Sequence, residues 1–179
     1  GIEENREILD KEASFKSSFG IRKEDSLLKH APDARVIQGV YTIGSVGTIA
    51  QTSQSDCDIW ICIDRKDFDD AAMRQLTQKV NLIKDWLDKN LHIPVFFFIC
   101  DIDDIRNCRF GSIDFESCGS AQKNVMKEEF YRTCIHLGGR IPFWWVCYDA
   151  KTAIDYDEAW RLTAGGDEGD LGFVDLGNL

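Results

Sequence analysis

The spacing of apolar positions divides the chain into strand-like and helix-like stretches. Residues 1 to about 30 carry Ile8, Leu9, Phe15, Phe19, Leu27 and Leu28 among charges and serines, which fits one or two short helices. Pro32 and Asp33 punctuate, and Val36 to Ile43 reads as a first strand ending at Gly44 and Ser45. Val46 to Ser55 is small and polar and suits a tight loop with a short helix. Asp56 to Ile63 alternates acid with apolar residues before turning fully apolar, a second strand. Between Asp69 and Asn90, the positions Met73, Leu76, Val80, Ile83 and Leu87 recur at the period of a long amphipathic helix. Pro94 opens Val95 to Cys100, a continuous apolar run expected as a strand buried on both faces, with Asp101 where it emerges. Residues 101 to 120 read as an acidic loop. Ala121 to Leu137 reads as a helix with Met126, Phe130, Cys134 and Leu137 on one stripe, stopped by Gly138 and Gly139. Ile141 to Tyr148 suits another strand and Ala153 to Ala164 a short helix. This order predicts an α/β (α+β) fold, a small mixed sheet covered by helices.

Composition narrows the function classes. With 179 residues and 44% of them hydrophobic, the chain has material for one domain with a real core. Its longest apolar run, Ile93 to Cys100, is far short of the roughly 20 residues that span a bilayer, so no membrane span is expected. The charged amino terminus is unlike an export signal. The seven cysteines are odd in number, form no CxxC pair and sit mostly in apolar stretches, as reduced thiols of a cytoplasmic protein do. His30, His92 and His136 have no cysteine or second histidine at ligand spacing, which argues against zinc. A net charge of −10 argues against a nucleic-acid partner. It also makes a small anionic substrate depend on divalent cations for screening.

The chemistry-bearing stretch is Tyr41-Thr42-Ile43-Gly44-Ser45, ten further residues, then Asp56-Cys57-Asp58-Ile59-Trp60. Strand alternation puts Asp56 and Asp58 on one face and Cys57 and Ile59 on the other. Two such carboxylates repel unless they grip a divalent cation, and hard oxygen ligands select magnesium or manganese. The bland alternative is the solvent face of a half-buried strand. Gly44 and Ser45 offer backbone N–H groups and a hydroxyl to phosphate oxygens, or form an ordinary turn. A third carboxylate at a neighbouring strand end would complete a two-metal site, and Asp101 is placed for it, with Asp103 and Asp104 close behind. The three carboxylates are then expected within about 4–7 Å of one another. Lys123, Arg132 and Arg140 are candidate phosphate partners; Arg132 also lies at ion-pair spacing from Glu128 and Glu129. Trp144 and Trp145 could stack a base, though adjacent tryptophans in an apolar run usually belong to a core. Gly119 and Ser120 could form a second phosphate turn or a helix start.

The Gly-Ser, spacer and Asp-x-Asp pattern resembles the signature of the polymerase β type nucleotidyltransferases. The run Gly39 to Trp60 (GVYTIGSVGTIAQTSQSDCDIW) is similar, without a gap, to the active-site segment of class I adenylate cyclases. Phe96 to Asp101 (FFFICD), Cys118 to Gln122 (CGSAQ), Glu129 to Thr133 (EFYRT) and Asp175 to Leu179 (DLGNL) resemble further blocks of that family in its order. The resemblance implies a nucleotidyltransferase-like core over 39–179, stopping inside a family block, behind an N-terminal helical segment over 1–38. It also implies metal-dependent conversion of ATP to 3′,5′-cyclic AMP and pyrophosphate. In that reading Gly44, Ser45 and Arg132 bind nucleotide, and Asp56, Asp58 and Asp101 are catalytic and hold two Mg2+ or Mn2+ ions. A following helical segment would close over the nucleotide, so this stretch by itself is expected to have little activity, and a regulatory domain or protein is expected outside it. Two alternatives use the same acids: nucleotide transfer to a protein, RNA or small molecule, and a catalytically silent nucleotide sensor.

Overall fold

The computed structural model describes residues 6–22, 24, 36–90, 94–110, 120–147, 155–164 and 172–179. Helix α1 (Arg6–Ser18) precedes strands β1 (Ile37–Ile43) and β2 (Cys57–Ile63), the long helix α2 (Asp70–Asn90) and β3 (Val95–Asp101). Then come α3 (Ile102–Arg106), α4 (Ser120–Thr133), β4 (Ile135–Gly139), β5 (Ile141–Pro142), α5 (Trp144–Cys147), α6 (Tyr156–Ala164) and β6 (Phe173–Val174). Four strands form a mixed sheet in the order β3-β2-β1-β4. β1 is antiparallel to both β2 and β4, whereas β3 runs parallel to β2 after the α2 crossover. The mixed sheet flanked by helices is the expected α+β arrangement.

Strand alternation gives the sheet two apolar faces. Tyr41, Ile43, Trp60, Cys62 and Cys100 pack with Phe130 and Tyr131 of α4. Ile61 and Ile63 point the other way, onto Leu76 and Val80 of α2. The periodicity read for α2 is therefore its buried stripe. Trp60, 1% exposed, stacks on Phe130 with ring centroids 5.1 Å apart, and Tyr41 meets the same ring edge-on at 5.2 Å.

Four local expectations change and one holds. The helix read to Leu137 ends at Thr133, and Ile135–Gly139 instead pairs with β1, Ile135 opposite Thr42 and His136 opposite Tyr41. Gly138 and Gly139 belong to this strand; Gly139 has φ 82°, and a Cβ there would lie 2.8 Å from the Gln38 carbonyl oxygen, so close strand approach is its reason. Ile141 to Tyr148 is not one strand: Ile141–Pro142 pairs with β6, and Trp144–Cys147 turns helical. β3 is an edge strand, yet both its faces are covered as expected, Phe98 and Cys100 on the α4 side and Phe97 and Ile99 on the α2 side, while Phe96 near its start is 43% exposed. The acidic loop opens with α3 rather than coil. The stretch 46–55 forms successive turns (Thr48 N to Ser45 O, Gln51 N to Thr48 O, Ser55 N to Thr52 O) and no helix. His30, Pro32, Asp33, His92, Gly119, residues 111–118 and the side chain of Lys123 lie outside what is described.

The Asp175–Leu179 block is part of the core. Leu176 is fully buried against the Trp60–Phe130 side of the sheet, and the Tyr131 hydroxyl donates to the Gly177 carbonyl at 2.5 Å. Arg106 pairs with Asp157 and Asp175, and Asp175 also accepts from the Tyr156 hydroxyl at 2.6 Å. Removing the buried Leu176 side chain forfeits transfer energy and leaves a cavity. Leu176→Ala should therefore lower unfolding stability by about 2–5 kcal/mol, read as a fall in the urea midpoint with an unchanged m-value.

Candidate functional site

Antiparallel pairing of β1 with β2 sets Ile43 opposite Asp58. The Gly44-Ser45 turn therefore leaves β1 beside the point where the acids enter β2. Gly44 takes φ 96° and faces open space, a conformation that favours glycine and leaves room for a ligand to approach the backbone. Asp58 shares the face of Trp60, two residues on, and so lies on the α4 side; Asp56 precedes the strand and is exposed. The intervening loop is braced by its own side chains. Thr48 Oγ1 donates to the Ser45 carbonyl at 2.7 Å, Gly47 N to Gln51 Oε1 at 2.8 Å, and Ser45 Oγ lies 2.9 Å from Ser55 Oγ. Gly44, Ser45, Asp56 and Asp58 are thus brought to one end of the sheet.

Asp101 is not with them. β3 runs parallel to β2 with Asp58 opposite Phe96, which puts Asp101 opposite Ile63, five residues further on and roughly 16 Å along the strands. It also falls on the opposite face, the α2 side. There its carboxylate caps α3, accepting from Asp103 N at 3.1 Å. The two alternatives are engaged at the same far end, Asp103 with Lys66 at 3.1 Å and Asp104 with Arg109 at 2.8 Å. The expected convergence of Asp56, Asp58 and Asp101 is overturned by this parallel register. Among the described residues, no group of three or more His, Cys, Asp or Glu side chains gathers as a metal site.

Arg132, Arg140, Trp144 and Trp145 have structural partners. Arg132 pairs with Glu128 at 2.5 Å on an exposed face of α4, the i, i+4 arrangement. Arg140 is bound to Gln38. Trp144 packs on the Tyr131 and Tyr156 rings against the core, whereas Trp145 is 37% exposed and donates to the Tyr131 carbonyl at 3.0 Å. The residue that motif reading missed is Glu129: its charge acts on Asp58. The signal was present in the Glu129-Phe130 pair, since a buried Phe130 carries its neighbour to the edge of that same sheet face.

Among the described residues, the charges acting at this end are all negative. Burial, the Asp56 charge and the Glu129 charge, in that order, raise the Asp58 carboxyl above the ordinary carboxylate range. The Cys57 thiol is raised too, by burial and then by Asp58 and Asp56. Neither Asp56 nor Asp58 makes an ion pair with a described residue. Two oxygen-bearing acids with no compensating cation among the described residues, one half-buried and resisting ionisation, are a donor set that suits a hard divalent ion. Because the folded state binds the Asp58 proton more tightly than the unfolded chain, stability falls as pH rises from about 4 through the raised folded value. Asp58→Asn should therefore raise the melting temperature at pH 7–8 without added metal. The gain should vanish as pH drops to about 4, as followed by thermal denaturation across that range.

Comparison with known proteins agrees with the family resemblance carried by the sequence blocks. The family model described as the adenylate cyclase NT domain matches residues 5–145, starting well ahead of the Gly39 at which the motif resemblance begins. Adenylate cyclase of Haemophilus influenzae is 36% identical over 146 residues, 80% of this chain and 17% of that protein. That of Escherichia coli K12 is 39% identical over 109 residues, 60% of this chain and 12% of that protein. That of Pasteurella multocida is 34% identical over 137 residues, 76% and 15% respectively. The chain thus spans less than a fifth of the length of each of these relatives. No solved structure matches. Among the described residues, no helix is long and apolar enough to cross a membrane. The matched span and these identities together establish that the chain belongs to the adenylate cyclase NT domain family.

Proposed function

We propose that this chain carries the nucleotide- and metal-binding part of a class I adenylate cyclase active site, which converts ATP to 3′,5′-cyclic AMP and pyrophosphate. The observation that carries the reading is the Ile43–Asp58 register, which sets a Gly-Ser turn beside two carboxylates that have no ion-pair partner among the described residues. Family membership supports it, since the relatives are named adenylate cyclases.

In this reading the Gly44-Ser45 turn takes the phosphates through its backbone N–H groups and hydroxyl, and Asp56 and Asp58 hold one Mg2+ or Mn2+ ion. A divalent ion bound there supplies charge neutralisation on the triphosphate and lowers the pKa of an oxygen it touches. Asp58 contributes most, because its half-buried carboxylate regains on binding what it loses by ionising near Asp56 and Glu129. The chain's remaining task is positional. The ribose 3′ oxygen must lie in line with the bond from the α-phosphorus to pyrophosphate, and the turn fixes the phosphates while the acids orient them. The pair seats one ion; the two-ion arrangement built on Asp101 is not part of the proposal.

Two kinds of measurement test this in the full-length protein that carries these residues. Incubation with labelled ATP and magnesium or manganese should yield cyclic AMP and pyrophosphate. Label on protein, RNA or a small acceptor would instead identify a transferase, and tight nucleotide binding without turnover a sensor. Asp58→Asn should retain the fold and reduce turnover by at least about 100-fold, the scale of losing one preorganised charge at a transition state. It should also abolish Mn2+ binding measured by electron paramagnetic resonance, and full activity in that variant would remove Asp58 from the metal site.

A further inference from the structure

The Ser45 hydroxyl, which the reading above sets against a phosphate, is already engaged: its oxygen lies 2.9 Å from that of Ser55, in a partly buried contact. Ser55 is itself held. Its hydroxyl oxygen accepts from the Thr52 backbone N–H at 2.9 Å and lies 3.4 Å from the Thr52 hydroxyl, while its own N–H donates to the Thr52 carbonyl at 3.2 Å. Because Ser55 directly precedes Asp56, one small side chain ties the turn leaving β1 to the acids entering β2.

We propose that Ser55 is a positioning residue of the nucleotide site, holding the Ser45 hydroxyl in place and, by reversing their shared hydrogen bond, turning it to donate to a phosphoryl oxygen. The proposal rests on the functional reading in one respect, that Ser45 meets a phosphate. A phosphoryl oxygen only accepts, so Ser45 must then direct its proton outward and needs a donor behind it. A serine hydroxyl both donates and accepts. Ser55 can therefore keep the Thr52 N–H and rotate its own proton toward Ser45. The resulting chain runs from the Thr52 amide through Ser55 and Ser45 to the phosphate, and each link polarises the next. No covalent bond changes. Alanine at position 55 would leave Ser45 free among its staggered rotamers and without that donor. It removes no carboxylate.

The test is a double-mutant cycle in the full-length protein, read by calorimetric titration with ATP and magnesium. Ser55→Ala should weaken ATP binding by about 3- to 10-fold, the range of one hydrogen bond. In a Ser45→Ala background the same change should move affinity less than about 2-fold, because nothing is left to position. Ser55→Thr, which keeps the hydroxyl, should restore affinity to within about 2-fold, and Mn2+ binding without nucleotide should be equal in all variants. Equal losses from Ser55→Ala in both backgrounds would make Ser55 merely structural and overturn the proposal. So would a loss with Ser45→Ala but none with Ser55→Ala. If Ser45→Ala itself leaves ATP affinity unchanged, the placement of Ser45 against phosphate fails, and the proposal falls with it.

Discussion

Tyr41 and Trp60 face each other across β1 and β2, both buried, and both pack on the Phe130 ring of α4. Side chains alternate along a strand, so a slip of one residue would carry this aromatic pair to the α2 face and strand it there. The register is therefore held by several large rings at once. Two residues further along the same pairing, Ile43 meets Asp58. The candidate site inherits its geometry from this core contact, and α4, which Phe130 anchors, brings Glu129 to the edge of the site.

Charge is distributed unevenly between the two ends of the sheet. Past the end where β2 and β3 finish, several acids are engaged: Asp101 caps α3, Asp103 meets Lys66, Asp104 meets Arg109 and Asp175 meets Arg106. At the other end Asp56 and Asp58 repel each other without a described cation to offset them. A fold selected for stability would neutralise or remove such a pair, and local violations of that kind are characteristic of functional sites. The thiols of Cys100 and Cys134 show no comparable tension. Burial pushes Cys100 and Cys134 up to about 12, which leaves them protonated core groups.

Much of the molecule was legible from local pattern. Apolar positions repeat at the helical period in α2, the turn residues Gly44 and Ser45 end β1, and Asp58 and Trp60 share a face because a strand alternates. Each of these depends only on neighbours in the chain. The i, i+4 spacing of Glu128 and Arg132 likewise foretold their ion pair. Where the local signal was ambiguous, the partner decided: Ile135 to Gly139 continues the α4 stripe equally well, but the open edge of β1 offered a ladder of hydrogen bonds and took it as strand.

The placement of Asp101 could not be decided at that level. An acid at the end of one strand and a pair of acids at the start of another meet when the strands are antiparallel and lie a strand's length apart when they are parallel. Periodicity is the same in both cases. The α2 crossover made β2 and β3 parallel and sent Asp101 away, while the tight loop made β1 and β2 antiparallel and brought Gly44 and Ser45 to Asp58. Spacing along the chain thus settles which side chains share a face. Which strand ends share a site is settled only when the sheet closes, because direction is a property of pairs of strands and of the connection between them.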